Sequence, residues 1–471
     1  MTAPLDPAAQ SWFFCGIGGS GMLPLAQIVR GLGGAVAGSD RSRDQGRTPE
    51  KFAWLEANGF ALFPQDGSGI VSREQIVVAS AAVEDTVPEI LRARELGCRR
   101  MTRADLNAAL FNAAETGIAV AGTSGKSTGT AMLGWILHQA GRDPTIMNGA
   151  VMKNFASPAN PYASAQVGRP DLYLSEVDES DGSIALYRPD VALLLNVSLD
   201  HKSLDELRQL FGDYLAASSK RAINLDDPES AALAGAAPAL GFGIDAPDAV
   251  LSIVPESFVE APTSLAATVI DRRDGSRHPL GVAMPGRHNL SNALAAIAGA
   301  HLAGVAVADA VRALGTFAGL ARRFEIVGTS PAGITLIDDF GHNPEKCAAT
   351  LRALKRHPGR VIAFFQPHGF GPLRQMGAEL ARTFAFELGP DDLTLICDPL
   401  YFGGSVERDD GAARVVRAIE KAGGRAEHRA TRKEIAKRIV EVARPGDRIA
   451  VMGARDDTLS EFARELLARL S

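Results

Sequence analysis

Short apolar runs alternate with amphipathic helical stretches along almost the whole chain. This alternation is typical of parallel β-sheets that are covered by helices. The first apolar run, Trp12–Cys15, is followed by a group of glycines and then by a helix that we predict over about Met22–Leu32. Pro24 suits the first turn of that helix, and Gly33-Gly34 suits its end. The pattern therefore predicts an α/β protein that begins with a strand, a glycine loop and a helix.

The chain is long enough for several such units. At about 150 residues per domain, its 471 residues suggest three domains. A second unit begins with the apolar run Gly117–Ala121 and a third near Arg323, so we predict domains over residues 1–113, 114–322 and 323–471. Between about residues 249 and 285 apolar and polar positions alternate, which favours antiparallel strands. Four apolar runs predict buried strands in the third unit: Thr335–Ile337, Arg360–Phe365, Leu393–Ile396 and Arg448–Met452.

The strongest chemical signal is the segment Gly122-Thr-Ser-Gly-Lys-Ser-Thr128, which lies between a predicted strand and a predicted helix. Backbone N–H groups of such a loop and the helix N-terminus attract phosphate oxygens. Lys126 can reach the β and γ phosphates of a nucleotide, and the Ser127 hydroxyl can bind Mg²⁺. The alternative is a glycine-rich turn with a surface lysine, but the flanking strand and helix favour a shortened phosphate-binding loop.

Metal ligands are expected near such a loop, and two candidates follow the next two apolar strands. Glu176 lies at the end of a strand predicted over Leu172–Val177, and His201 follows one predicted over Val191–Val197. Ligand sites of α/β sheets gather at the carboxyl ends of strands, and carboxylates suit Mg²⁺. Histidine is not the ligand that Mg²⁺ prefers, so a capping or solvent-exposed role for His201 is the alternative.

The first glycine group has two interpretations. Gly16-x-Gly18-x-x-Gly21, with Asp40 about 20 residues further on, fits a dinucleotide-binding fingerprint. On these residues alone, NAD(P) binding therefore stays open. Ser80 ends another predicted strand, where it either faces the same pocket or only terminates the strand.

Charge and cysteine usage narrow the function classes. The chain has 49 basic and 55 acidic residues, a formal charge of −6, which does not support nucleic-acid binding. Its four cysteines are widely spaced, which argues against a disulfide scaffold or a structural zinc site and favours a reducing compartment. The N-terminus has no signal-peptide pattern, and the apolar runs are too short to span a membrane. We expect a cytoplasmic protein with neither a nucleic-acid nor a membrane partner.

Several strings, in the same order along nearly the whole chain, resemble motifs of the Mur ligase family, ATP-dependent enzymes that add amino acids to peptidoglycan precursors. These strings are Phe14–Met22 with Gly38–Asp40, Gly122–Thr128, Glu176–Asp181, Pro285–Asn292, Arg322–Glu325, Asp338–Pro344 and Phe365–His368. The resemblance implies a Rossmann-like N-terminal domain for a UDP-sugar, a central P-loop ATPase-like domain for ATP, and a Rossmann-like C-terminal domain. It also favours a UDP-sugar over NAD(P) at the first glycine group.

The resemblance assigns roles to individual residues. The ATP-binding residues would be Gly122, Thr123, Ser124, Gly125, Lys126, Ser127, Thr128, Asn289, Asn292, Arg323 and Asp339. Mg²⁺ would be held by Ser127, Glu176 and His201. The residues that carry catalysis would be Lys126, Glu176, His201 and Arg323. The substrate-binding residues would be Gly18, Gly19, Ser20, Gly21, Asp40, Ser80, His342, His368 and Arg374.

The implied reaction joins an amino acid, expected to be L-alanine, to the carboxylate of UDP-N-acetylmuramate through an acyl phosphate. Both substrates are small molecules, and ATP and Mg²⁺ are the implied cofactors. Two segments depart from the family pattern. In His368–Arg374, Gly369 and Pro372 replace arginines near the amine, and Leu400–Gly404 is an unusual glycine-aromatic segment. A different carboxylate or amine, or a non-catalytic nucleotide-binding regulator, therefore remains an alternative.

Overall fold

The structure, a computed structural model, describes residues 5–80, 83–199, 202–236, 238–399, 411–454, 456 and 458–470. Two compact units are present: Met1–Glu260 with Ser264–Leu320, and Ala261–Thr263 with Ala321–Ser471. The first unit contains two β-sheets and the second contains one. The predicted metal ligand His201 and the segment Leu400–Gly404 lie outside the described residues.

The N-terminal sheet has five parallel strands in the order β3-β2-β1-β4-β5. The strands are β1 (Ser11–Cys15), β2 (Ala35–Ser39), β3 (Ala61–Phe63), β4 (Gln75–Ala79) and β5 (Arg99–Thr102). The helices are α1 (Met22–Gly31), α2 (Arg41–Asp44), α3 (Pro49–Ala57), α4 (Pro88–Leu96) and α5 (Arg103–Ala113). Strand β1 is continuously apolar because both faces of the sheet are covered, and Trp12, Phe13 and Phe14 are fully buried. The strand order reverses beside β1, so the carboxyl ends of β1 and β4 flank the glycine loop that precedes α1.

The central sheet has eleven strands, and β6 lies between β10 and β9. Its first strands are β6 (Thr116–Ala121), β7 (Pro144–Met147), β8 (Ala165–Gln166), β9 (Arg169–Glu176), β10 (Val191–Leu194), β11 (Lys220–Asn224) and β12 (Leu240–Phe242). The others are β13 (Leu251–Ile253), β14 (Val259–Ala261), β15 (Ser264–Asp271) and β16 (Ser276–Val282). Strands β6, β9, β10 and β11 run parallel, whereas β13, β15 and β16 pair antiparallel, as the alternating pattern predicts.

Five helices accompany the central sheet: α6 (Lys126–Gln139), α7 (Leu204–Ala216), α8 (Pro228–Leu233), α9 (Arg287–Leu302) and α10 (Val307–Leu314). Helices α6 and α9 pack against each other over one buried apolar cluster. Small residues in α9 permit this closeness, because a Cβ on Gly299 would lie 3.0 Å from the side chain of Leu133 in α6. The close packing places the N-terminal turn of α9 beside the phosphate loop.

The second unit has a six-stranded sheet in the order β17-β18-β22-β19-β20-β21. Its strands are β17 (Glu325–Thr329), β18 (Thr335–Asp339), β19 (Val361–Gln366), β20 (Leu393–Ile396), β21 (Ala426–His428) and β22 (Arg448–Gly453). Its helices are α11 (Pro344–Lys355), α12 (Phe370–Glu387), α13 (Gly411–Lys421), α14 (Arg432–Val442) and α15 (Thr458–Arg469). The four predicted strands are confirmed as the buried interior of this sheet. The two edge strands, β17 and β21, lack a continuous apolar run and were not predicted.

All four cysteines are described, and each carries a free thiol. Among the helices of the described residues, none is long and apolar enough to cross a membrane.

Candidate functional site

The loop at residues 122–125 joins β6 to α6 in the central sheet. Gly122 and Gly125 have φ angles of +142° and +86°, which residues with a side chain rarely adopt. Gly125 is the residue before α6, so the helix begins at Lys126 and directs its first N–H groups at the loop. The strand, loop and helix predicted from the sequence are therefore present, in the arrangement that binds phosphate groups in other proteins.

Asn196 fixes the shape of this loop. Its side chain accepts a hydrogen bond from the Ser124 N–H and donates one to the Ser124 carbonyl, both at 2.9 Å. Its backbone carbonyl accepts from the Thr123 N–H at 3.2 Å, and the Thr123 hydroxyl accepts from the Ser198 N–H at 3.0 Å. The loop is thus held before any ligand arrives. The sequence gives no specific signal for this role of Asn196.

Lys126 folds back over the loop. Its Nζ donates to the Gly122 carbonyl at 2.8 Å and to Oε2 of Glu179 at 2.6 Å. The Lys126 side chain is 18% exposed and that of Glu179 is 5% exposed, so the ion pair is largely shielded from solvent. Lys126 is therefore part of the loop and does not extend into solvent. Its partner Glu179 was missed as a functional residue, although it lies in the acidic string Glu176–Asp181.

Glu176 and Ser127 line a small space beside the loop. Glu176 ends β9 and pairs in register with Val120 of β6. Its Oε2 is buried and has no hydrogen-bond partner, which is costly for a carboxylate oxygen. A Cβ placed on Gly149 would lie 2.3 Å from Oε1 of Glu176 and 3.5 Å from the Ser127 Oγ. A carboxylate and a hydroxyl therefore face a space that exists because residue 149 has no side chain.

This space has the chemistry of a magnesium site. An unpartnered carboxylate oxygen and a hydroxyl are ligands that Mg²⁺ accepts, usually together with water and substrate phosphates. Within the described part of the chain, no group of three or more His, Cys, Asp and Glu side chains is placed to hold a metal ion. Ser127 and Glu176, two of the three predicted ligands, face the same space, whereas His201 stays a prediction.

Asn148 and Gly149, which follow β7, complete the cradle and were not identified from the sequence. Asn148 is fully buried; its side-chain amide donates to the Ser127 carbonyl at 2.9 Å and accepts from the Ala150 N–H at 3.0 Å. This pair of bonds fixes Gly149 against Glu176. An Asn-Gly pair directly after a buried strand is the only signal in the sequence, and it is also typical of an ordinary turn.

Replacing Gly149 with alanine should weaken magnesium binding. The backbone of residue 149 does not have a positive φ, so alanine is compatible with it, but the added Cβ would displace the Glu176 carboxylate. We expect the Mg²⁺ concentration for half-maximal activity to rise about tenfold, which corresponds to about 1.4 kcal/mol. Gly281→Ala is the matched control, since a Cβ there meets no atom within 4 Å. An unchanged Mg²⁺ requirement in Gly149→Ala would contradict the cradle.

One of the two predicted asparagines of α9, Asn292, lies against the phosphate loop. Asn292 is 6% exposed, and a Cβ on Gly125 would lie 2.4 Å from its Oδ1. Asn289 is 2% exposed and donates to the Pro285 carbonyl at 2.6 Å. Asn292 is thus brought directly against the loop, while Asn289 stabilises the turn that starts the helix.

The glycine loop of the N-terminal sheet lies at the carboxyl end of β1. The Gly18 N–H donates to Asp40 Oδ2 at 2.8 Å, and Oδ1 of the same carboxylate accepts from the Ser42 N–H at 2.8 Å. Asp40 therefore stabilises the loop and the start of α2. Gly19 and Ser20 are exposed, and Ser80 follows β4, the strand beside β1. The predicted substrate residues of this domain thus gather at one end of the sheet.

A buried polar cluster connects the two sheets of the first unit. Asn107 of α5 donates to the Ser175 hydroxyl at 3.0 Å and to the Tyr187 hydroxyl at 2.7 Å, and it accepts from the Tyr173 hydroxyl at 2.9 Å. Ser175 is the neighbour of Glu176. The cluster therefore links the helix that follows the N-terminal sheet to the strand that carries the predicted magnesium ligand.

In the second unit, Arg323 lies between two residues with left-handed backbones. Arg322 and Phe324 have φ angles of +59° and +48°. Such strain in residues other than glycine is common at functional sites. Arg322 is buried and donates to the Gly453 carbonyl at 2.6 Å, whereas the Arg323 guanidinium lies 4.6 Å from the centre of the Phe340 ring. Within this strained turn, Arg322 therefore has a structural role, whereas its neighbour Arg323 is the predicted phosphate ligand.

Asp339 holds this turn. Its Oδ2 accepts from the Phe324 N–H at 2.8 Å, and its Oδ1 accepts from the Gly341 N–H at 2.8 Å and the Thr350 hydroxyl at 2.9 Å. The predicted contact of Asp339 with the ribose stays a prediction. Its observed bonds give it a second role, which is to position the segment that carries Arg323.

His342 and His368 are brought together in the second unit. Their rings are 5.3 Å apart at 87°, and Nδ1 of His342 lies 3.0 Å from the Phe340 carbonyl. Burial, together with the nearby charge of Lys346, lowers the pKa of His342 to about 4, so its imidazole is neutral at pH 7. Arg374 is exposed in the first turns of α12. The predicted site residues therefore form two sets, one on each compact unit.

The lowered pKa of His342 predicts a pH-dependent stability of the second unit. Between pH 6.5 and about 4 the unfolded chain binds a proton at this residue that the folded chain does not. His342 therefore does not lower the free energy of unfolding above pH 6.5. As the pH drops toward 4, it lowers this free energy by at most about 3 kcal/mol. Urea unfolding of His342→Gln should show a smaller loss over this range than the parent protein. Equal losses in both proteins would contradict the assignment.

Models of the Mur ligase family match the chain in succession. They are described as "Mur ligase family, catalytic domain" over residues 13–115, "Mur ligase middle domain" over residues 120–300, and "Mur ligase, glutamate ligase domain" over residues 322–455. The family resemblance and the three-domain α/β fold predicted from the sequence are thereby confirmed.

Curated relatives and solved structures agree with these matches. A protein of Pelotomaculum thermopropionicum named UDP-N-acetylmuramate–L-alanine ligase is 34% identical over 454 residues, which are 94% of each chain. A protein of the same name from Agrobacterium fabrum is 31% identical over 94% of each chain. The UDP-N-acetylmuramate-alanine ligase of Thermotoga maritima has a TM-score of 0.78 at 24% identity, and a murein peptide ligase of Psychrobacter arcticus has 0.70 at 25%, each over 98% of both chains. The chain therefore belongs to the Mur ligase family.

Proposed function

We propose that this ligase joins L-alanine to the carboxylate of UDP-N-acetylmuramate with consumption of ATP, as a step of peptidoglycan precursor synthesis. The names of the full-length relatives support the substrates. The observation that carries the proposal is the phosphate loop, in which Lys126 folds over the loop, and Glu176, whose Oε2 has no hydrogen-bond partner, lies with Ser127 beside Gly149.

We assign one substrate to each part of the chain. Residues 1–113 bind the UDP-sugar, residues 114–322 bind ATP, and residues 323–471 supply Arg323 and the amino-acid pocket. The three separate sheets support these boundaries. The free thiols and the use of ATP support a cytoplasmic location.

Charge neutralisation is the main task of the ATP site, because phosphoryl transfer needs positioning and electrostatic stabilisation more than covalent help. Lys126 exchanges Glu179 for the β and γ phosphates, and Arg323 is the second cation that we assign to the ATP phosphates. Ser127, Glu176 and His201 hold a magnesium ion, which supplies positive charge to the phosphate oxygens. Asn292 supports the loop from α9.

The reaction follows from the poor leaving ability of a carboxylate oxygen. One carboxylate oxygen of the UDP-sugar attacks the γ phosphorus of ATP, and ADP leaves. The amine of the amino acid then attacks the carbonyl carbon of the acyl phosphate. The amide forms as inorganic phosphate departs, and this phosphate carries the original carboxylate oxygen. The attacking amine releases a proton. Water must be excluded meanwhile, since it would hydrolyse the acyl phosphate.

The amine-binding region contains His342, His368 and Arg374. Because His342 is neutral at pH 7, it does not repel an incoming ammonium group. Gly369 and Pro372 leave the start of α12 without the cations that the family pattern has there. This difference supports a second candidate function, in which the amine belongs to a peptide, as the name of the Psychrobacter arcticus ligase indicates for that protein.

A panel of amines separates these candidates. We expect phosphate release from ATP that requires both UDP-N-acetylmuramate and L-alanine, with glycine, L-serine and an alanyl peptide giving at least tenfold lower kcat/KM. A preference for the peptide would replace the first candidate by the second. Phosphate release with none of these pairs, despite tight ATP binding, would favour a nucleotide-binding regulator.

A further inference from the structure

Arg103 belongs to the N-terminal domain, and its side chain extends toward Asp181 in the acidic loop that follows β9 of the central domain. This arginine was not identified from the sequence. It begins α5, whose N-terminus is fixed by reciprocal hydrogen bonds between Thr102 and Asp105. Its side chain runs along the N-terminal glycine loop, because a Cβ placed on Gly21 would lie 3.0 Å from Cδ and 3.3 Å from Nη1 of Arg103. The guanidinium therefore lies beside Gly21, which follows the exposed residues Gly19 and Ser20 and directly precedes α1.

The guanidinium is only loosely paired in this structure. Its Nη2 lies 3.8 Å from Oδ2 of Asp181, which is longer than a hydrogen bond, and the two side chains are 30% and 37% exposed. Asp181 belongs to the same acidic string as Glu179, the partner of Lys126. Lys126 and Arg103 each lie near a predicted phosphate position. Each of them thus faces a carboxylate of the same short loop, Glu179 for Lys126 and Asp181 for Arg103.

Another cation of the glycine loop is already engaged. Lys51 is 7% exposed, and its Nζ donates to the Gly18 carbonyl at 3.2 Å. Arg103 differs because it is accessible and carries five N–H donors in a rigid plane that matches phosphate oxygens. A phosphate group in front of the N-terminus of α1 would therefore find both backbone N–H groups and a guanidinium.

We propose that Arg103 binds the diphosphate of the UDP-sugar, and that its guanidinium leaves Asp181 when the substrate enters. The proposal rests on the proposed function of the N-terminal domain and adds a specific ligand residue to it. Asp181 then holds the guanidinium of Arg103 in place while no substrate is bound. Because it competes with the diphosphate for Arg103, it also weakens substrate binding.

Binding of UDP-N-acetylmuramate and of UDP alone, measured by calorimetry without ATP, tests this assignment. For Arg103→Ala we expect both dissociation constants to rise about 10- to 100-fold, the range for loss of a charge-assisted hydrogen bond. Arg103→Lys should give an intermediate value, because it keeps the charge and loses the planar fork. The dissociation constant of ATP should change less than twofold in both variants.

Two further variants distinguish binding from a structural link between the domains. Asp181→Asn removes the same ion pair and should leave UDP binding unchanged or tighter. Arg99→Ala removes an exposed arginine of β5 and should have no effect. Equal weakening of UDP binding by Arg103→Ala and Asp181→Asn, or weakening of ATP binding to the same extent, would overturn the proposal in favour of a structural role.

Failure of this inference is separable from failure of the proposed function. If the parent protein binds UDP-N-acetylmuramate and Arg103→Ala binds it equally well, only the role of Arg103 is refuted. If the parent protein binds neither UDP-N-acetylmuramate nor UDP, both the role of Arg103 and the proposed UDP-sugar substrate are refuted.

Discussion

Replacing Lys126 with alanine is expected to abolish ligation in a standard assay, with a loss of at least the order of 10²–10³ in kcat that removal of one electrostatic contact causes. The reason is that Lys126 places a positive charge at the phosphate loop, where its Nζ donates to the Gly122 carbonyl. Phosphate release in the presence of ATP, UDP-N-acetylmuramate and L-alanine measures the effect. Near-normal turnover by a folded Lys126→Ala protein would contradict the assignment.

The same substitution also leaves Glu179 without its partner. A largely buried carboxylate that loses its hydrogen bond costs roughly 1–3 kcal/mol of stability, so lost activity could reflect partial unfolding. The double variant Lys126→Ala with Glu179→Ala removes this cost and should unfold like the parent protein while remaining inactive. Lys220→Ala is the matched control, because this lysine is exposed and its Nζ donates to the Leu302 carbonyl at the end of α9. Recovery of activity in the double variant would show that Lys126 acts through stability.

Replacing Glu176 with glutamine is expected to lower kcat on the order of 10²–10³-fold and to raise the Mg²⁺ requirement. The amide keeps the shape of the side chain but loses the negative charge that attracts the cation. Because Oε2 is buried and unpartnered, loss of the charge should not reduce the free energy of unfolding. Thermal unfolding with and without Mg²⁺ and ATP gives a second measurement, since ligands that bind the folded state raise the midpoint.

The parent protein should gain thermal stability from Mg²⁺ with ATP, and Glu176→Gln should gain less. Glu74→Gln, which changes an exposed carboxylate before β4, serves as the control and should behave like the parent protein. Full activity of Glu176→Gln at the Mg²⁺ concentration that suffices for the parent protein would remove Glu176 from the metal site.

Much of the fold could be predicted from the sequence because buried parallel strands are continuous apolar runs. Strands β1, β6, β10, β19 and β22 are examples, and each has most or all residues fully buried. The edge strand β17 has no such run, since it pairs on one side only, with β18. Its antiparallel direction depends on that pairing and not on any local pattern.

Functional residues could be predicted where the residues that form the site are adjacent in the sequence. Lys126 and Ser127 follow glycines between a strand and a helix, and that spacing alone predicts a phosphate site. Glu179, Asn196 and Gly149 were not predictable in this way. Their roles come from distant contacts, such as the 72-residue separation between Ser124 and Asn196, or from the absence of a side chain.

Ligation of UDP-N-acetylmuramate whose carboxylate carries ¹⁸O tests the central claim most directly, that the loop around Lys126 holds a triphosphate whose terminal phosphoryl group passes to an acid. If the carboxylate oxygen attacks the γ phosphorus, each turnover must transfer one ¹⁸O atom to inorganic phosphate, which mass spectrometry detects. We expect this transfer, in equal amount to the amide formed. Amide formation with unlabelled phosphate, or labelled substrate consumed without phosphate release, would contradict the account.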